Sequence, residues 1–245
     1  MAPLDQHGVR GYLVHAYTAS TLLFVAVAMQ SILEERYQLA LLAMAATVII
    51  DATDGTMARR YRVAETARRI QGELLDNIVD FLSYVGLPAL FLLHADMLLA
   101  PATLWVALVM LASAFGFSRT DAKIAGKGFF VGFPSYWNIV IFYLWMLDTP
   151  PSLNTGLLLL LASSVLVPIR FLYITRLTRW RMLHLVLGGL WGVACIVALL
   201  LPDGPIRDVL LYGSLSYVVF YLVHSLMEDA RDRRDARRSS PRGEH

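Results

Sequence analysis

The chain reads as an all-α integral membrane protein with eight transmembrane helices, and three observations carry that reading. Of 245 residues, 57% are hydrophobic and 16% charged, against about 45–50% and about 25% in an ordinary globular domain. That leaves too few polar residues to cover a soluble fold of this length. Apolar stretches recur along the chain, and a helix of roughly 20 mostly apolar residues crosses a bilayer with its backbone polar groups paired internally. The basic residues, finally, collect on one side of those stretches. Together these features exclude a soluble enzyme, a disordered chain and a nucleic-acid-binding module.

In chain order the spans fall at residues 12–33, 37–57, 74–95, 97–118, 133–148, 153–175, 182–201 and 206–227. The first contains Ala26-Val27-Ala28, which is similar to a signal-peptidase site. Its His15, Tyr17, Thr18 and Ser20 are polar for a signal core, so it reads as a retained helix. The second is purely apolar only from Leu39 to Ile50 and then meets Asp51. The fifth is short and begins at Phe133-Pro134. If the spans alternate, only Arg36 and Arg207 of the 21 Lys and Arg residues fall on one side. The positive-inside rule then places both termini and the 58–73, 119–132 and 176–181 loops in the cytoplasm. From Glu228 onward the sequence mixes Arg with Asp, Ser, Pro and Gly and reads as a flexible basic tail over 228–245. The single cysteine, Cys195, excludes an intrachain disulfide and a Cys-based zinc cluster. There is no internal repeat.

Ionisable groups inside spans are costly and mark function, and here they cluster. Asp51 and Asp54 close the second span, three residues apart. Asp76 and Asp80 open the third, four apart. Each pair lies on one face of its helix, at the cytoplasmic ends of antiparallel neighbours joined by a short basic loop. Four carboxylates brought together call for a counter-charge. All-oxygen ligands select hard cations, Mg²⁺ or Mn²⁺ with Ca²⁺ as a further candidate, and there are oxygens enough for two ions. An ion-pair network with the loop arginines is the bland alternative. Gly55 and Gly72 flank the acids, where glycine lets a ligand or a neighbouring helix approach. Arg59 offers a fork for phosphate oxygens. His15 reads either as a satisfied core histidine or as a contact near a nucleotide.

The string Asp-x₂-Asp-Gly-x₂-Ala-Arg…Gly-x₃-Asp-x₃-Asp resembles the signature of the CDP-alcohol phosphatidyltransferases. Its eight fixed residues are Asp51, Asp54, Gly55, Ala58, Arg59, Gly72, Asp76 and Asp80. Twelve residues separate Arg59 from Gly72, longer than in most members, and this looks like the branch that joins choline to CDP-diacylglycerol. The stretches 14–20, 128–138 and 167–173 look like that branch too. The resemblance implies a six-helix catalytic core over residues 1–181 with two further helices over 182–227. It implies that Asp51, Asp54 and Asp76 hold two divalent ions, Mn²⁺ or Mg²⁺, against the diphosphate of the CDP-lipid. Asp80 would touch metal and serve as general base. Gly55, Ala58, Arg59 and Gly72 would form the nucleotide-phosphate floor. The implied setting is a bacterial inner membrane, with a homodimer by analogy.

A choline acceptor needs aromatic faces around its quaternary ammonium. Phe129, Phe130, Phe133, Tyr136 and Trp137, with Tyr17 and Tyr173 near the same level, read either as that cage or as an interfacial belt. Arg170 points the other way. It suits an acceptor phosphate, the CDP-lipid's own phosphate, or a side chain that snorkels. The rivals are therefore the same reaction with inositol, glycerol phosphate or serine, and more remotely a divalent-cation transporter, which calls for acids near the bilayer midplane.

Overall fold

The structure, a computed structural model, describes residues 6–119, 123–124, 129–174, 177 and 180–239. Lys127, Gly128, Arg176 and Arg179 of the expected cytoplasmic loops, and the tail beyond 239, lie outside the described residues. The elements divide between two compact units, Met1–Phe117 with Ser135–Leu159, and Ser118–Pro134 with Leu160–His245.

The first unit begins with an antiparallel helix pair, α1 (Gln6–Leu33) and α2 (Tyr37–Arg60). Small residues let the two approach: Ala28, Ala40 and Thr47 are fully buried. At the motif end Tyr17 Oη lies 2.8 Å from Thr53 Oγ1, and Thr18 Oγ1 donates to Asp54 Oδ2 at 2.8 Å. A four-residue helix, α3 (Val63–Thr66), sits in the basic loop. The third apolar segment is continuous over 72–94 but changes pitch. It comprises α4 (Gly72–Phe81), a π turn (Leu82–Gly86) and α5 (Leu87–His94). Pro88 explains the change, because it has no N–H to give the carbonyl four residues back and its ring crowds that carbonyl. The Leu87 N–H instead reaches five back to the Leu82 carbonyl, the pattern of a π-bulge. Then come α6 (Ala102–Ser118), α7 (Trp137–Met146) and the start of α8 (Pro151–Leu166). Trp137 Nε1 donates to Ser113 Oγ at 2.8 Å, fixing α7 on α6.

The second unit holds a three-stranded antiparallel sheet, β1 (Lys123–Ile124), β2 (Phe129–Val131) and β3 (Arg170–Leu172), with α9 (Arg181–Leu200) and α10 (Pro205–Ser239). The register pairs Phe129 with Leu172, Phe130 with Phe171 and Val131 with Arg170. Gly132 follows β2 at φ 85°, and a Cβ there would lie 2.1 Å from the Val165 carbonyl oxygen; only glycine fits. The outer edge of β3 is covered by α10, where Ser225 Oγ accepts from the Leu172 N–H and Tyr221 Oη donates to the Leu172 carbonyl.

Among the described residues, five helices are long and apolar enough to cross a membrane: 8–33, 37–60, 72–94, 181–200 and 205–234. Leu190, Val193, Val197 and Leu200 of α9 lie exposed, as a lipid-facing helix requires. The protein is a predominantly helical, multi-pass membrane protein. The remaining three expected spans are shorter helices of 17, 10 and 16 residues. Span five loses its first turns because 133–136 is irregular, with Ser135 at φ 54°, and the helix starts only at Trp137. The sixth, expected to reach 175, stops at Leu166 because Pro168 cannot continue it and restrains the residue before it; the chain then enters β3. Two further differences stand out. An all-α fold allowed no sheet, and α10 continues through the segment expected as a flexible tail, to Ser239, with Asp229 buried. The compact units also cut across the expected boundary at 181, because β3 is bonded to α10.

Candidate active site

The two acid pairs sit where the α2 C-terminal half and the α4 start converge. One carboxylate oxygen from each of Asp51, Asp76 and Asp80 lies within 4.8 Å of the others, and all three residues are half-buried. That span is about twice the usual 2.0–2.6 Å metal–oxygen distance, so the three oxygens fit one hard divalent cation. Asp54 lies outside this group of three. It is buried at 5% exposure and its Oδ2 accepts from Thr18, so the expected quartet is met as a triad with Asp54 held alongside.

Tyr84 belongs to this site. Its hydroxyl donates to Asp51 Oδ2 at 2.6 Å from a buried position in the π turn, and its ring lies 6.0 Å from that of Tyr136. The bond fixes which way the Asp51 carboxylate faces, the ordinary work of a second layer around a metal site. Replacing Tyr84 with Phe keeps the ring and removes that bond. We expect thermal stability to change by only about 1 kcal/mol and the affinity of the acid site for an added divalent cation to fall about tenfold, measured by thermal melts in a metal titration.

The glycines of the motif face different neighbours. A Cβ on Gly55 would meet only Arg59 Nη1, at 3.4 Å, while the Arg59 Nη2 donates to Thr56 Oγ1 at 3.0 Å. Arg59 is thus an exposed guanidinium steadied one turn beyond Gly55. On Gly72 a Cβ would lie 2.9 Å from His15 Cε1. His15 is 5% exposed, and its Nε2 has no hydrogen-bond partner among the described residues. Gly72→Ala therefore forces the imidazole and α4 apart next to Asp76. We expect at least a tenfold loss of activity without loss of the folded state, since a 1 Å misplacement near reacting groups costs of order 10²-fold; steady-state kinetics and a thermal melt check both halves. Ala58 is half-buried and packs with Val14, Val63 and Ala67 rather than lying bare.

The expected aromatic group is distributed. In the first unit Tyr17 is tied to Thr53, Tyr136 stands beside Tyr84, and Trp137 is fully buried with its indole committed to Ser113. Trp137 is a core residue, not an open face for a ligand. In the second unit Phe130 stacks on Tyr173 with centroids 4.3 Å apart, Phe133 meets Phe171 edge-on at 6.4 Å, and the Arg170 guanidinium lies 6.0 Å from the Phe129 ring. Arg170 is not a bare cation. Its Nε is 3.5 Å from Asp229 Oδ1, and its Nη1 bonds Asp232 Oδ2.

Residues 13–223 match the family model for CDP-alcohol phosphatidyltransferase. The chain belongs to the CDP-alcohol phosphatidyltransferase family. Among proteins similar to this phosphatidyltransferase is a phosphatidylcholine synthase of Legionella pneumophila, 38% identical over 221 residues, covering 86% of this chain and 85% of that protein. Another, of Legionella bozemanae, is 38% identical over 200 residues, with 78% and 91% covered. A third, of Pseudomonas aeruginosa, is 29% identical over 228 residues, with 89% and 92% covered.

Tyr84, Asp229 and Asp232 are the residues that sequence reasoning missed. Tyr84 carries a legible signal, since it continues the four-residue step from Asp76 through Asp80 on one helical face. Asp229 and Asp232 are three apart and so also share a face, but the arginines around them made the segment read as solvated.

Proposed function

We propose that this phosphatidyltransferase condenses choline with CDP-diacylglycerol to give phosphatidylcholine and CMP. What carries the reading is the convergence of Asp51, Asp76 and Asp80 at one end of α2 and α4, joined to the likeness to phosphatidylcholine synthases along most of the chain. The pairing of Arg170 with Asp229 and Asp232 supports choline over a phosphate-bearing acceptor. The aromatic residues Phe129, Phe130, Phe133 and Tyr173 are the proposed faces for the quaternary ammonium, with Tyr17 and Tyr136 at the acid site.

In the proposed mechanism Asp51, Asp54 and Asp76 are the residues that would hold two divalent ions, Mn²⁺ or Mg²⁺, with Asp80 within reach of them. When bound, the metal supplies positive charge against the diphosphate oxygens as negative charge moves onto the leaving CMP. Asp80 takes the proton of the choline hydroxyl. The choline oxygen forms its bond to the phosphorus that carries diacylglycerol, and the bond from that phosphorus to the CMP oxygen breaks, its electron pair leaving with CMP. Tyr84 and Thr18 keep Asp51 and Asp54 turned to the site. Arg59, steadied by Thr56, holds nucleotide phosphate beside Gly55, where a side chain would intrude.

The proposed setting is a bacterial inner membrane crossed eight times, with both termini in the cytoplasm and the protein acting as a homodimer by family analogy. Labelled choline tests the acceptor. Purified protein with CDP-diacylglycerol and Mn²⁺ is expected to form labelled phosphatidylcholine, undiminished by excess inositol, glycerol phosphate or serine. Loss of label to any of these competitors contradicts the assignment.

A further inference from the structure

Where the start of α1 meets the end of α2 and the short α3, the first unit holds an open groove of about 1050 Å³. None of the eight motif residues is in its lining. The charge of that lining is lopsided, with Arg10, Arg60, Arg62 and Arg68 against the one carboxylate of Glu65. Among the described residues none of the four guanidiniums is ion-paired. Arg68 Nε donates to the Glu65 carbonyl at 3.1 Å, and the Arg60 guanidinium lies 6.0 Å from the Tyr61 ring. The rest of the lining includes Leu13, which is 64% exposed, Val14 and Met57. These three belong to the helices over 8–33 and 37–60, which are long and apolar enough to cross a membrane. Arg10 stands one turn nearer the start of the first, Arg60 closes the second, and Arg62 and Arg68 lie beyond it. Cations therefore gather at one end of the groove and apolar side chains at the other. Its walls are held in place. A Cβ on Gly11 would lie 2.6 Å from Thr66 Oγ1 and 2.9 Å from Ala67 Cβ, so glycine lets α3 close on α1. Arg62 adopts φ 49°, a left-handed conformation that a long side chain seldom takes.

We propose that this groove binds the headgroup of an anionic phospholipid, a phosphate diester of net negative charge, with its acyl chains along α1 and α2. Guanidiniums match phosphate oxygens in paired hydrogen bonds, and basic clusters at the ends of membrane helices attract anionic lipid. A soluble phosphate uses the cations and leaves the apolar side chains without a partner. A zwitterionic lipid brings its own cation and leaves the guanidiniums uncompensated. The bound lipid is neither substrate nor product, and it needs no metal. The inference therefore stands whether or not choline is the acceptor.

The test uses the full-length protein in phosphatidylcholine bilayers, without substrates, carrying spin-labelled phosphatidylglycerol or spin-labelled phosphatidylcholine. The motionally restricted fraction of each label gives its relative affinity. The parent is expected to hold phosphatidylglycerol about tenfold more tightly than phosphatidylcholine. R60Q lowers that preference about fivefold, the effect of one arginine near a membrane surface, and R10Q/R60Q abolishes it. Two further variants separate a groove from general surface charge. R69Q removes an exposed arginine of the same loop that is not in the lining, and it is expected to change the preference less than about twofold. L13W fills the groove and leaves every charge in place, and it is expected to lower the preference about fivefold. Thermal melts check that the variants fold; should R10Q/R60Q not fold, R60Q and L13W carry the test. If R69Q costs as much as R60Q, or L13W costs nothing, the arginines act only as a diffuse surface field and the inference is overturned. Release of the label by millimolar inorganic phosphate also overturns it and gives the groove to a soluble anion. Displacement by CDP-diacylglycerol far more readily than by unlabelled phosphatidylglycerol overturns it in favour of the substrate lipid.

Discussion

Asp80→Asn is expected to lower kcat by about 10²–10⁴, the range that a positioned general base contributes, with the KM for CDP-diacylglycerol changed far less. The amide is isosteric and still offers an oxygen to the site, but it cannot take the hydroxyl proton. Two outcomes discriminate. A loss confined to kcat fits a group acting on the attacking alcohol. A loss confined to KM, with kcat preserved, assigns Asp80 to binding and leaves the base elsewhere. The thermal melt guards against a trivial explanation, because Asp80 is half-buried in a group of three acids and removing one charge from that group does not unfold it.

Asp76→Asn separates the metal site from the fold more sharply. Asp51, Asp76 and Asp80 place three carboxylates within 4.8 Å of one another, and like charges so close repel unless a cation lies among them. Without metal, the Asn variant is therefore expected to be at least as stable as the parent, by up to about 1 kcal/mol. With metal the order reverses, because the parent gains binding energy that the variant lacks. Activity falls about 10²-fold or more, and the Mn²⁺ concentration for half-maximal rate rises at least tenfold. Thermal melts of both proteins, in EDTA and in Mn²⁺, measure the crossing. A variant equally destabilised in both conditions contradicts a metal site and returns the acids to structural ion pairing.

The acid site was legible because its pattern is local. Spacings of three and four put Asp51 with Asp54 and Asp76 with Asp80 on helix faces, and the short 58–73 loop brings those faces together. Within that pattern Asp54 has a partner that no spacing reveals: Thr18, from another helix 36 residues earlier, donates to its Oδ2. Tyr84 was hidden by the π turn that Pro88 imposes, although its four-residue step from Asp80 was visible. The apolar segments were legible as well, since hydropathy records the solvent directly. Their ends were not. Pro168 shortens α8, and the irregular 133–136 segment shortens α7, so chain expected as membrane helix becomes strand and connection.

The sheet and the continuation of α10 lay beyond the sequence because they depend on each other. Strands of two and three residues carry little period to detect. Their stabilisation comes from Ser225, Tyr221, Asp229 and Asp232, on a helix 49 to 62 residues later. Read one residue at a time, Arg170 was an unassigned cation and the acids were part of a polar tail.

The central claim is that the acid cluster transfers the phosphatidyl group from CMP to choline with a divalent cation. Its most direct test is CMP release from CDP-diacylglycerol by the purified protein in Mn²⁺, with and without choline. The expected result is CMP that appears only with choline, stops in EDTA and returns when excess Mn²⁺ is restored. CMP release that is indifferent to choline, or that proceeds unchanged in EDTA, contradicts it.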